Sequence, residues 1–129
     1  MREAVYSMMN FWLDKHIDGF RLDVIQLISK PLGLPDAPIT VPGEQFQPAD
    51  NVFSKGPRLH EFLWEMHSRV LAGRDVMTVG EMPWVEDRDE VLKIVGEGRG
   101  ELDMIFQFDL YSPLPPPPLP QTPLTAHKA

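Results

Sequence analysis

Three times along this chain an apolar stripe at helical spacing gives way to a short apolar run of extended character. That alternation restricts the fold more than any other feature. Val5, Met8, Met9, Trp12 and Leu13 recur at i, i+3, i+4, i+7 and i+8, which predicts a helix running to about Lys15. The run from Ile17 to Val24 follows as a buried strand. Leu59, Phe62, Leu63, Met66 and Val70 give a second helix, opening after Gly56-Pro57 and closing before Gly73; residues 75–81 give a second buried strand that ends on Glu81. A short charged helix from Glu86 to Val95 rests on Val91, Leu92 and Val95, and a third strand spans Leu102 to Phe108 after a glycine-rich turn. Helices and strands in this order imply parallel strands joined by right-handed crossovers, as in doubly wound sheets and (β/α)8 barrels. Residues 31–56 carry five prolines and three acidic residues and predict a long irregular loop, a kind of segment that usually serves function.

The first strand holds an unusual pair of charges. In Ile17-Asp-Gly-Phe-Arg-Leu-Asp-Val-Ile25, Arg21 and Asp23 stand two positions apart and share a face with Ile17 and Gly19, while Phe20, Leu22 and Val24 take the other. Charges in an apolar strand are costly unless they satisfy one another or something else. An arginine beside a carboxylate favours its ionised form, as a carboxylate nucleophile needs. The spacing fits a structural ion pair equally well. Asp23 and Glu81 both fall at the C-terminal ends of successive strands, the edge on which active sites form in both architectures. Two such carboxylates can lie about 5–5.5 Å apart, the spacing a retaining glycosidase uses.

Composition narrows the partners. The 129 residues make one domain's worth of chain, and 43% of them are hydrophobic, enough for a core. A net charge of -7 with no cluster of Lys and Arg argues against nucleic acid and anionic membrane surfaces. The absence of cysteine removes disulfides and thiolate metal sites. An amphipathic pattern directly after Met1, rather than a charged and apolar leader, predicts a cytoplasmic protein. His60 and His67 are two helical turns apart and make a poor metal pair, so no metal is assigned. Phe11, Trp12, Phe62 and Trp64 read as helix packing rather than as a sugar platform.

At this point the motifs carry a resemblance. Phe11-Trp-Leu-Asp-Lys15, Ile17 to Ile25 and Leu27-Ile-Ser-Lys30 resemble the nucleophile-strand region of the α-amylase family, glycoside hydrolase family 13. Gly33 to Pro38, Gly56-Pro-Arg-Leu-His-Glu61, Val76-Met-Thr-Val-Gly-Glu-Met-Pro83, Arg99-Gly-Glu-Leu102 and Phe106-Gln-Phe108 are similar, in the same order, to the oligo-1,6-glucosidase and maltase branch. The resemblance covers residues 2–109. It implies an α/β fold, a partial (β/α)8 TIM barrel of about three strands and three helices over residues 1–110. It also implies an α-glucosidase that needs no cofactor and acts on a short oligosaccharide of isomaltose or maltose type. Asp23 would be the catalytic nucleophile and Glu81 the acid and then the base; Arg21 would orient Asp23 and contact the sugar. Val24 sits where members that prefer α-1,6 linkages carry valine and maltose-preferring members threonine, and Met82 would line the aglycone side.

Some residues depart from that pattern. His16 stands where relatives usually have glycine, and Gln26 replaces a common asparagine. The family's other strands, its transition-state aspartate and its flanking domains have no counterpart in these residues. Residues 111–129 form a proline-rich tail, with seven prolines in the last 17 positions, that reads as extended and disordered. That reading leaves three possibilities. The chain is a barrel fragment of an α-glucosidase, inactive in isolation, or a non-catalytic sugar-binding half-barrel, or an interaction module whose tail recruits a partner.

Overall fold

The computed structural model describes residues 1–83, 85 and 87–108. The proline-rich tail and the domain boundary expected at 110 lie outside them. The elements run α1 (Arg2–Leu13), β1 (Gly19–Leu22), a 3-10 turn (Ile25–Leu27), α2 (Asp50–Phe53), α3 (Leu59–Met66) continuing as a π-turn (His67–Leu71), β2 (Met77–Glu81), α4 (Arg88–Val95) and β3 (Met104–Phe106). The three strands form one parallel sheet in the order β1-β2-β3. Helices separate successive strands, so parallel neighbours are joined by helical crossovers.

The register assigns the two faces. Arg21 pairs with Val79, Val79 with Met104 and Glu81 with Phe106, so Gly19, Arg21, Met77, Val79, Glu81, Met104 and Phe106 lie on one face. Phe20, Leu22, Thr78, Gly80 and Ile105 take the other, which the helices cover. There Tyr6, Met9 and Leu13 of α1, Leu59, Leu63 and Met66 of α3, and Ile94 of α4 form one cluster with Ile25, Val70, Leu71, Met82, Val85 and Leu102. Gly80 allows the closest part of this packing: a Cβ there would come within 2.7 Å of Leu102 and 2.8 Å of Ile25. Polar ties join the same elements. Thr78 donates from its backbone N–H and its hydroxyl to Asp103 Oδ2, both at 2.7 Å. His60 sits between two carboxylates, with Nδ1 2.9 Å from Glu101 and Nε2 3.1 Å from Glu90.

Several expectations are corrected. α1 ends at Leu13 rather than Lys15, and it buries Tyr6, Met9 and Leu13, while Val5, Met8 and Trp12 of the expected stripe are exposed. The apolar positions of α1 go around more than one face, and only one of them enters the core. β1 is an edge strand, half-buried rather than buried, and it stops at Leu22. β2, α4 and β3 are likewise shorter than predicted by about two residues at one or both ends, a common outcome at element termini. Phe11 and Trp12 pack edge to face on each other at 5.3 Å and, like Trp64, are exposed rather than built into helix packing. Residues 31–56 are irregular apart from α2, and Gln47 organises them. Its side chain accepts from Thr40 and Val41 N–H at 2.8 Å and donates to the Val41 and Glu44 carbonyls at 2.9 Å.

Candidate active site

The last paired residues of β1 and β2 are Leu22 and Gly80, so Asp23 and Glu81 are the next residues along two adjacent parallel strands. Beyond Asp23 the backbone leaves the sheet sharply. Val24 adopts a left-handed conformation, φ 37° and ψ 54°, which is disfavoured for a β-branched side chain by about 1–3 kcal/mol. The 3-10 turn that follows drops Ile25 and Gln26 into the core. Strain at Val24 is therefore offset by burial immediately after it, and Asp23 is left standing at the strand end.

Arg21 joins the two carboxylates. One guanidinium nitrogen donates to Asp23 Oδ1 and another to Glu81 Oε2, while the planar group lies 5.5 Å over the ring of Phe106. A flat fork with several N–H groups can do all three at once, and a lysine ammonium cannot. The carboxylates differ in surroundings: the Asp23 side chain is 69% exposed and that of Glu81 only 12%. A hydrogen bond shared with the Glu81 carboxyl, and a second from Arg21, hold the Asp23 carboxyl below its ordinary value of 3.8.

A pH dependence follows. A depressed native value means that Asp23 adds stability that is present above 3.8 and lost as pH falls through the lower native value. In a carboxyl 13C titration of these residues grafted into the full-length barrel of a relative, Asp23 is expected to change charge below pH 3.8, and Arg21→Ala to move that midpoint upward. A midpoint at or above 3.8 in the unvaried graft contradicts the bridge.

The structure thus brings together Arg21, Asp23 and Glu81, as the sequence reading expects. Val24 is half-buried beside them. Met82, expected to line the aglycone side, is instead completely buried in the helix-side core. Sequence reasoning missed Phe106 as the platform under Arg21, because its level with Glu81 is set by the β2–β3 register. An apolar hollow of 620 Å³ opens between the start of α1 and the end of β1, lined by Val5, Tyr6, Leu22, Ile25 and Phe62 with Arg2 and Asp23 at its rim. A larger one, 930 Å³, lies against β3 and α4 and includes Phe106 but neither carboxylate in its lining. Among the described residues no group of three His, Asp or Glu side chains is placed to hold a metal, and no helix is long and apolar enough to cross a membrane.

Comparison with known proteins extends this geometry. Residues 1–114 match the family described as "Alpha amylase, catalytic domain". Over 109 residues the chain is 52% identical to an oligo-1,6-glucosidase of Halalkalibacterium halodurans, covering 84% of this chain and 19% of that protein. It is 49% identical, with the same coverage, to an alpha-glucosidase of Schizosaccharomyces pombe. The solved trehalose-6-phosphate hydrolase of Bacillus licheniformis is similar with a TM-score of 0.70 and 42% identity, over 83% of this chain and 18% of that one. The chain spans 19% of the length of the two glucosidases.

Proposed function

Because the chain belongs to the α-amylase family and forms part of its (β/α)8 catalytic barrel, we propose that it carries the two reacting carboxylates of a retaining α-glucosidase. The observation that supports this most is the Arg21 fork shared by Asp23 and Glu81 at adjacent strand ends. In the first step Asp23 attacks the anomeric carbon of a terminal α-linked glucose, the glycosidic C–O bond breaks, and Glu81 gives its proton to the departing oxygen. The resulting β-glucosyl ester of Asp23 is then attacked by water, which gives its proton to Glu81 and leaves α-glucose. Arg21 keeps Asp23 ionised and aimed, and contacts the sugar. We assign the substrate to short oligosaccharides, with Val24 beside the nucleophile favouring α-1,6 over α-1,4 linkages.

The test is a graft. The matched residues of this chain replace the corresponding 109 residues of the Halalkalibacterium halodurans oligo-1,6-glucosidase. The resulting barrel is expected to hydrolyse 4-nitrophenyl α-glucoside with retention, and to prefer isomaltose to maltose. A folded but inert graft would refute the assignment.

The 129-residue chain by itself is expected to give no measurable turnover and to be marginally stable or aggregated. Asp23 there is open to water, the outer edges of β1 and β3 are unpaired among the described residues, and α1 exposes Val5, Met8, Phe11 and Trp12. Turnover by the pure chain that Asp23→Asn abolishes would overturn this expectation.

A further inference from the structure

We propose that Gln26 is a positioning residue. It ties the turn after Asp23 to the segment after Glu81, fixes the place of Glu81 relative to Asp23, and so biases which linkage is cleaved. The inference rests on the assignment of Asp23 and Glu81 as nucleophile and acid/base.

Gln26 lies three residues beyond Asp23 and is completely buried. Its side-chain Nε2 donates to the Pro83 carbonyl at 3.2 Å, and Pro83 stands two residues beyond Glu81. Its backbone carbonyl accepts from Lys55 N–H at 2.8 Å, so the end of the long loop is anchored on the same residue. Between Glu81 and Pro83, Met82 N–H donates to the Phe106 carbonyl at 3.1 Å. The backbone that follows Glu81 therefore hangs between two supports. One is the turn that presents Asp23; the other is the end of β3, whose Phe106 ring lies under Arg21.

The polar bookkeeping of Gln26 argues against a packing role. A carbonyl oxygen only accepts, so the end of the amide that faces Pro83 is the NH2. That orientation leaves Oε1 buried without a partner among the described residues. An orphaned buried carbonyl is costly, and an apolar side chain of the same length would fill the space without it. The donor half of the amide is the part with a job, and its job is to hold Pro83.

Arg21 fixes the carboxylate heads from one side, and Gln26 fixes the backbone behind one of them. Without the tether, Glu81 can turn about the end of β2, and displacement of a proton donor by about 1 Å can cost about a hundredfold in rate. The two linkages respond differently. The departing oxygen of an α-1,6 bond sits on a rotatable CH2 arm and can follow a displaced acid. That of an α-1,4 bond is fixed on a ring and cannot.

In the grafted barrel, Gln26→Leu is expected to lower kcat on maltose about tenfold and on isomaltose about threefold. KM on both should stay within about a factor of two, and the amount of folded protein should not fall. Gln26→Asn keeps an amide donor and is expected to hold the maltose-to-isomaltose ratio within about a factor of two of the unvaried graft. An unchanged ratio in Gln26→Leu overturns the proposal, and so does a fall in rate that matches lost folded protein. If the unvaried graft is inert, the assignment of the carboxylates has failed. The tether is then read in the same folded graft, where Gln26→Leu should speed hydrogen exchange at Met82 N–H by about tenfold and leave Leu92 N–H unchanged. Equal exchange at Met82 in both grafts overturns the tether itself.

Discussion

Asp23→Asn in the grafted barrel is expected to remove turnover of every α-glucoside alike, by about 10⁴-fold or more in kcat/KM, with no loss of folded protein. The amide oxygen of asparagine can still accept from Arg21, so the turn at Val24 and the bridge to Glu81 keep their shape. What disappears is the anionic oxygen that forms the bond to the anomeric carbon. An activated leaving group cannot replace it. Glu81→Gln should behave differently. Protonation of the departing oxygen matters little when that oxygen belongs to 4-nitrophenol, so formation of the glucosyl ester is largely spared and its hydrolysis becomes slow. Azide, which needs no base, should then speed turnover of Glu81→Gln and yield α-glucosyl azide. If Asp23→Asn keeps more than about one part in a hundred of the parent rate, or if azide fails to act on Glu81→Gln, the two roles are wrongly assigned.

The alternation of helical and extended patterns made the parallel sheet legible, because periods of 3.6 and 2 are local properties of the chain. It did not reveal where the strands stop. β1 ends at Leu22 since Val24 turns into the left-handed region, and nothing in a β-branched residue announces that. His16 does the same after α1, at φ 64°, where the sequence shows only that a glycine is replaced. The carboxylates were legible because each ends an apolar strand. The Arg21–Asp23 pair followed from spacing, but its reach to Glu81 depends on register, which connects residues 60 positions apart. Gln26 and Phe106 were illegible for the same reason. A buried glutamine in a turn reads as a tolerated substitution until its partner, 57 residues away, is seen. The apolar stripe of α1 points in the opposite direction: Val5, Met8 and Trp12 fit a helix period, but the neighbouring face with Tyr6, Met9 and Leu13 is the one buried in the core.

Gly19→Ala, one added methyl group, is expected to unfold the chain. A Cβ at Gly19 would lie 1.9 Å from the Met77 carbonyl oxygen and 2.8 Å from its carbon, backbone atoms with no rotamer to change. Gly19 and Met77 are the first pair of the β1–β2 register, and Met77 N–H already donates to the Asp18 carbonyl at 2.9 Å. Relief requires the start of β1 to move away from β2, and the pairs Arg21–Val79 and Leu22–Gly80 follow it. The Arg21 fork then loses Glu81. The expected loss is at least about 3 kcal/mol, against a typical whole-domain stability of about 5–15 kcal/mol. Gly98→Ala is the control. Gly98 has φ +78° but nothing within 4 Å of its added Cβ, so only the conformational cost applies, about 1 kcal/mol. Denaturant melts of the grafted barrel separate the two duties of β1. Gly19→Ala should lose rate and folded protein together, whereas Asp23→Asn loses rate alone. A Gly19→Ala variant within about 1 kcal/mol of its parent would mean that the close contact between β1 and β2 is not what seats Arg21 and Asp23 beside Glu81.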